Sequence, residues 1–423
     1  MFPAILFDFG LSFITLIVIL LYFSSRDLVI WLFSPSQEVM VGGILDLHVI
    51  VGGPCPNDFK IKYRRQYFLD YLASNSRNRV IWISSRNHVS VNDLGSVEKA
   101  QCSIHENVTY LTVKDCKFIV ANIEALQLRI SNSVKSICSD DVYGQKNLWY
   151  TLPRYSALAG SHKWDRIHYD ISDNWVGQYK GRFLKLLNYL LTSKTERKII
   201  DVSDSLSASS VFLKEKFEVI KNDDISVVPN GVDFSFVNSF VTKELSLVDE
   251  GNNIFFVGTL EPSKIDIKHL YFFAKSLEGF TFTLIGPLTD VHDEESSLVD
   301  NLLSLPNVKH FSFMERHLLY KLLAKASVAL LPYIDCEFNK GIFPLKTFEY
   351  QALGIPVIYW GLSPKNMFLD RGLFLLERLN PEDFETLLVK VLEISTPAYR
   401  ESLSVNAMEY DWKEVFKGII SYE

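Results

Sequence analysis

Between Asn339 and Ile358 the sequence reads Asn-Lys-Gly-Ile-Phe-Pro-Leu-Lys-Thr-Phe-Glu-Tyr-Gln-Ala-Leu-Gly-Ile-Pro-Val-Ile. Pro344 suits the first turn of a helix and Gly354 its C-terminal end, so this stretch predicts a loop, a helix and then a strand. Unsatisfied amide N–H groups at the helix start, with Lys340 and Lys346 close by, form a site for a diphosphate. Glu349, five residues after Pro344, is spaced to accept hydrogen bonds from two ribose hydroxyls. A second carboxylate with possible chemistry is Asp173, in Tyr169-Asp-Ile-Ser-Asp-Asn-Trp175. A general base there must come within ~2.6–3.2 Å of the hydroxyl it activates. No Asp-x-Asp occurs, and the nine histidines show no His-Glu-x-x-His spacing.

These residues must be positioned by regular elements. Leu47–Val51 reads as a buried strand ending at Gly52-Gly53, with an amphipathic helix at Tyr63–Leu72 behind it. Arg79–Ile83, Arg166–Ile171, Lys198–Val202 and Ile225–Pro229 read as further strands. The pattern loosens near Val241–Asn253 and then restarts with a strand at Asn253–Gly258 and a helix at Ile267–Ser276. Strands at Phe280–Ile285, Val308–Ser312, Ser327–Pro332 and Pro356–Tyr359 follow. Strands alternating with helices imply parallel sheets covered on both faces. Two successive doubly wound units follow, with the cleft between them as the expected ligand site.

The stretch Pro344-Leu-Lys346-x-x-Glu349-Tyr350-x-Ala352-x-Gly354-x-Pro356-Val357 resembles the donor-binding signature of the GT-B glycosyltransferases, closest to the family-4-like enzymes of bacterial polysaccharide assembly. Val228-Pro-Asn-Gly-Val-Asp233 is similar to the motif that ends their first domain. Phe256-Val-Gly-Thr-Leu260 and Leu284-Ile-Gly-Pro287 match the first two strand ends of their second domain. Tyr169–Trp175 resembles the segment bordering their acceptor cleft, and Lys62-Tyr-Arg-Arg-Gln66 the start of their first helix. The ordered set spans roughly residues 46 to 420.

The resemblance implies a nucleotide-sugar donor, UDP- or GDP-linked, with no other cofactor. Gly258 and Thr259 would let backbone approach the diphosphate, Lys346 would offset its charge and stabilise the leaving group, and Glu349 would hold the ribose. Phe313 and Met314 would flank the base, and Asn339 and Lys340 complete the donor set. Gly53, Arg64 and Arg65 are the expected acceptor contacts, and Asp173 matches by position the general base of inverting xanthan-type glucuronosyltransferases. Many family-4 enzymes carry an acidic residue eight positions before the ribose-binding Glu. Here it is Gly341, with Glu337 or Asn339 as stand-ins. Family-4 likeness favours retention at the anomeric centre, and a basic, metal-free leaving-group site is what the GT-B class implies.

The chain of 423 residues carries 43 Lys and Arg against 50 Asp and Glu, a net charge of −7. That balance, with no long basic run, argues against nucleic-acid binding. Five scattered cysteines without a Cys-x-x-Cys pair argue against a zinc ribbon and a disulfide framework. Phe2–Phe23 is almost wholly apolar and just long enough to cross a bilayer, and the basic residues that follow place the bulk of the chain on the cytoplasmic face. A buried helix is the alternative for that segment. The expected organisation is therefore an α/β GT-B protein: residues 1–36 membrane-associated, 40–240 an acceptor-binding Rossmann-like domain, 250–400 a nucleotide-sugar-binding one, and 401–423 a helix returning to the first. The expected activity is transfer of a sugar to a glycan or lipid-linked glycan in cell-surface polysaccharide synthesis. The alternatives are a sugar-nucleotide 2-epimerase and a non-catalytic glycan-binding subunit of the same fold.

Overall fold

A computed structural model describes residues 45–54, 62–87, 93–115, 119–138, 143–178, 183–221, 224–241, 252–289, 294–367 and 372–420. Residues 1–36, expected to meet the membrane, lie outside the described residues. Among the described residues no helix is long and apolar enough to cross a membrane. The chain divides into two compact units. The first comprises residues 1–60, 72–167 and 191–202, and the second 61–71, 168–190 and 203–423.

Eight strands form the first sheet: β1 (Leu45–Val51), β2 (Asn78–Asn87), β3 (Val97–Gln101), β4 (Val108–Asp115), β5 (Tyr143–Tyr150), β6 (Arg166–Ile171), β7 (Ser205–Ala208) and β8 (Ser226–Val227). Their order is β3-β4-β2-β1-β5-β6-β7-β8. β1 runs parallel to β2, with Val49 opposite Ile81, and to β5, with Val49 opposite Leu148. β3 pairs antiparallel with β4, Val97 opposite Val113, while β2–β4, β6–β7 and β7–β8 are parallel. In the first unit the Gly52-Gly53 turn is moulded around Trp82, whose indole N–H donates to the Gly53 carbonyl at 3.3 Å. Beside it His48 accepts from the Trp149 indole at 3.0 Å, and burial pushes its pKa down to about 4, which keeps it neutral.

One expected strand is a helix. Lys198–Val202 closes the helix Phe183–Val202. Thr192, Thr195, Glu196, Ile199 and Ile200 are buried, a spacing of three and four that belongs to a helical face and not to a strand.

The second sheet contains β9 (Asn253–Val257), β10 (Thr281–Ile285), β11 (Val308–Phe311), β12 (Val328–Pro332), β13 (Val357–Trp360) and β14 (Leu373–Leu375), in the order β11-β10-β9-β12-β13-β14. All its pairings are parallel. Its central strands β12 and β13 read as unbroken apolar runs because both faces are buried, whereas the edge strand β11 carries Lys309 and His310. Phe255, Val257, Leu331 and Tyr359 point into one core, and Ile254, Phe256, Leu330 and Trp360 into the other. The helix Ile267–Ser276, whose bounds are those the sequence predicts, is capped by Asp266, which accepts from the His269 amide.

At the ends of β9 and β10 two glycines meet. Gly286 adopts φ +148°, and a Cβ there would lie 2.0 Å from the Gly258 carbonyl oxygen. Gly286→Ala should therefore lower stability by about 3 kcal/mol or more, through backbone strain and a clash with fixed main chain. Urea unfolding of the full chain measures it.

Candidate functional site

The predicted loop–helix–strand is present in the second unit. Pro344 is the N-cap, the helix runs Leu345–Ala352, and Gly354 follows with φ +71°. Its inner face buries Thr347, Phe348, Tyr350 and Gln351. Two bonds set its position. The Val257 amide, at the end of β9, donates to the Tyr350 hydroxyl at 3.0 Å, and the Asn230 side chain donates to the Phe343 carbonyl at 2.6 Å. The first brings the helix to Gly258 and Thr259. The second gives Pro229-Asn-Gly-Val-Asp233 a structural meaning, because its asparagine fixes the residue before Pro344. The rest of that motif grips the turn before the last helix. Val232 donates to the Tyr410 carbonyl, Trp412 donates back to Val232, and Phe234 donates to the Asp411 carboxylate.

Lys346 and Glu349 occupy the accessible side of the helix one turn apart, with Lys346 Nζ 2.5 Å from Glu349 Oε2. Glu349 also faces Tyr320, whose phenol is held well above its ordinary pKa by burial and by that carboxylate. Arg316 completes the cluster. Its guanidinium pairs with Asp233 at 3.2 Å and lies 4.1 Å from the centre of the Phe236 ring. An Asp233–Arg316–Tyr320–Glu349–Lys346 chain of charged and phenolic groups thus surrounds the helix start. Thr259 is exposed, as is Phe313 at 47%, while Met314 packs partly against the core.

The two arginines that open the helix Arg64–Ala73 part company. Arg64 is interior. Its Nε and Nη2 donate to Asp170 at 2.7 and 3.0 Å, and its Nη1 donates to the Pro229 carbonyl at 2.5 Å. Ser207 adds a third donor to Asp170 at 2.8 Å. Burial alone would raise the Asp170 pKa, but Arg64 outweighs it and holds the carboxyl below its usual range. Expected as an acceptor contact, Arg64 is a buried structural partner instead. Arg65 is half-buried and directs its field at Asp173.

Asp173 is the perturbed carboxylate of the site. Burial pushes it up to about 6, against the pull of Arg65, Lys264 and Arg64. Lys264 is a residue the sequence reading missed. It pairs with Glu261 at 2.9 Å and sits 5.5 Å from the centre of the Phe338 ring. Its available signal was position, since it is a lysine in the turn between β9 and its helix, where doubly wound folds bind phosphate.

The loop from Ile334 to Ile342 is held by three asparagines. Asn339 is fully buried, and its side chain donates to the carbonyls of Lys264 (3.0 Å) and Ile334 (2.8 Å). Asn174 donates to the Glu337 carbonyl, and Asn366 donates to those of Lys340 and Ile342. Asn339, expected against the donor, therefore shapes the loop and presents no surface to a ligand. Glu337 pairs with Lys340 at 3.6 Å, both partly exposed. Gly341, where the family pattern has an acid, is closely packed. A Cβ there would lie 3.1 Å from the Asn174 Cβ and 3.3 Å from Leu213 Cδ2, so a side chain at this position requires those neighbours to give by a few tenths of an ångström. A cavity of about 570 Å³ opens on the other side of the loop, lined by Tyr333, Asp335, Lys340 and Glu377 among others, beyond the ends of β12–β14. Gly53 lies in the first unit, with φ +80°.

Arg64→Ala would leave Asp170 charged and buried without its partner, so a loss of about 3–5 kcal/mol is expected in chemical unfolding. For Asp173 the linkage sign is the reverse. Its folded pKa lies above the unfolded value, so ionisation weakens the fold as pH rises from about 4 to 6, and the penalty is complete above 6. Asp173→Asn should raise Tm above pH 6 and leave it unchanged near pH 3.5, as thermal melts across that range will show.

No family model matches the chain. Over 394 residues it is 25% identical to TuaH of Bacillus subtilis (strain 168), a protein that carries the name of a teichuronic acid biosynthesis glycosyltransferase; the match covers 89% of this chain and 96% of TuaH. Among solved structures it is similar to sucrose-phosphate synthase of Thermosynechococcus elongatus, with TM-score 0.63, 12% identity, and coverage of 90% of this chain and 100% of that one. It is also similar to Anabaena HepE in complex with UDP, with TM-score 0.61, 14% identity, and coverage of 89% and 98%. The chain thus resembles a bacterial polysaccharide glycosyltransferase in sequence and has the two Rossmann-like bodies of the GT-B fold.

Proposed function

We propose that this GT-B chain is a glycosyltransferase of cell-surface polysaccharide synthesis, transferring a sugar from a nucleoside diphosphate donor to a glycan or lipid-linked glycan. The observation that carries the reading is the Lys346–Glu349 pair, 2.5 Å apart at the start of a helix that Tyr350 ties to the Gly258–Thr259 turn. A diphosphate entering there meets helix amides and an ammonium, and draws Lys346 away from Glu349. The freed carboxylate then accepts from the ribose hydroxyls, steadied by Tyr320 and Arg316. The exposed Phe313 ring offers the base a stacking surface. HepE, which has the same fold, is known in complexes with UDP and UDP-glucose, which supports a uridine nucleotide as the first donor to test.

In the transfer step negative charge develops on the leaving diphosphate, where Lys346, and Lys264 in the neighbouring turn, are placed to lower its energy. Arg65, which keeps an accessible side where Arg64 does not, is the proposed acceptor contact of the second unit, and Gly53 that of the first. Retention is the proposed outcome, on the family-4 likeness. Inversion has one observation in its favour, the half-buried Asp173 with its pKa near 6, matched to a general base at neutral pH. Proton NMR of the fresh product anomer decides between them. Consumption of nucleotide-sugar without acceptor, giving an epimerised nucleotide-sugar, would overturn transfer in favour of epimerisation.

Calorimetry with UDP and GDP tests the donor site. Glu349→Ala and Lys346→Ala should each weaken binding about tenfold or more, in line with ~1.5–3 kcal/mol for a charge-assisted hydrogen bond. Unchanged affinity in both variants would remove the donor assignment.

A further inference from the structure

We propose that the cavity beyond the ends of β12–β14 is a binding site for a neutral saccharide, separate from the donor site. It lies wholly within the second unit. Its volume of about 570 Å³ falls among small-molecule sites, which run from roughly 300 to 1,000 Å³. Its lining includes none of Gly258, Thr259, Lys346 and Glu349. Trp360 and Leu376, which it does include, belong to the core on the face of the sheet opposite to Tyr350. The floor is preformed. Asp266 accepts from the Trp360 indole at 3.1 Å and pairs with His269 at 2.6 Å, and the Asp266 amide donates to the Pro332 carbonyl at 2.8 Å. Gly361 adopts φ +69°, and a Cβ there would lie 1.9 Å from the Tyr333 carbonyl oxygen. These contacts tie the ends of β12 and β13 to the start of the helix Ile267–Ser276, so the cavity is a built space and not slack between loops.

The lining selects the ligand. Asp266 is occupied by Trp360 and His269, which leaves Asp335 and Glu377, both exposed, as the carboxylates that face a ligand. An ionised carboxylate only accepts, at about four lone-pair sites, and the neighbouring hydroxyls of a sugar are donors spaced to use them. Ser363 adds a hydroxyl, while Leu362, Leu375 and Leu379 supply an apolar wall for the C–H face of a pyranose ring. A phosphate or nucleotide is a poorer occupant, because the lining sets two open carboxylates against Lys340, which already lies 3.6 Å from Glu337. A metal ion is poorer too, since among the described residues no group of three His, Cys, Asp or Glu side chains could hold one. The inference does not rest on the proposed activity, because a binding subunit with this cavity would hold the same ligand.

Saturation-transfer NMR on the full chain tests it, with glucose, N-acetylglucosamine and cellobiose as probes and inorganic phosphate and putrescine as charged competitors. The saccharides should show transfer, and saturating UDP should leave it unchanged. Asp335→Asn/Glu377→Gln, two exposed isosteric replacements, should weaken saccharide binding about tenfold through loss of charge-assisted bonds. The double variant should keep the wild-type circular dichroism and UDP affinity. Leu379→Trp, which fills the cavity from its exposed side, should weaken saccharide binding in the same way. Glu349→Ala should show the opposite pattern, losing UDP and keeping the saccharide, so failure of this proposal and failure of the donor assignment are distinguishable. Absence of transfer from all three saccharides overturns the proposal. So does displacement by UDP, which assigns the sugar to the donor site, or by phosphate or putrescine, which assigns the cavity to an ion.

Discussion

The hydrogen bond from the Val257 amide to the Tyr350 hydroxyl is the constraint on which the rest of the site depends. It joins the end of one parallel strand to a helix that begins some ninety residues later. Both partners are buried, and an unmatched amide or phenol there would cost about 1–3 kcal/mol, so the bond fixes the helix as well as decorating it. Asn230 adds a second tether at Phe343. With the helix start held from both sides, Lys346 and Glu349 have little choice but to share the accessible face with the Gly258–Thr259 turn.

Neighbouring residues in this protein divide between scaffold and site. Arg64 is locked into a buried ion pair with Asp170, while Arg65, one position on, directs its field at Asp173. Likewise Asp170 is held below its usual pKa by a bidentate guanidinium, while Asp173, three residues later, is raised because burial outweighs more distant cations. The contrast follows from geometry, since a fork at hydrogen-bond distance overcomes desolvation and charges further off do not. Two carboxylates in one short motif thereby come to differ in protonation behaviour.

The loop before the donor helix shows the same trade in packing. Asn174, Asn339 and Asn366 satisfy its carbonyls from inside, and Asn174 lies so close to Gly341 that the glycine has no room to become an acid without displacement of its neighbours. The position that looks in sequence like a missing catalytic group is, in the fold, closely packed against an asparagine.

The sequence by itself determined the elements and the motif. Arg166–Ile171 and Ile267–Ser276 have the predicted bounds, because apolar periodicity and end residues act over a few positions. Lys346 and Glu349, three apart on one helix, were legible for the same reason. The polar edge strand Val97–Gln101 carries no such pattern, and Ile199-Ile200-Asp-Val202 reads equally as a strand end until Thr192, Thr195 and Glu196 are seen buried beside it. Only the tertiary structure decided which arginine is interior, that Asn339 faces its own loop, and that Lys264 acts on Asp173. Arg64 and Asp170 are separated by 106 positions, and no local rule relates the partners of such a contact. Burial and charge, which set what a side chain does, exist only once distant segments have packed.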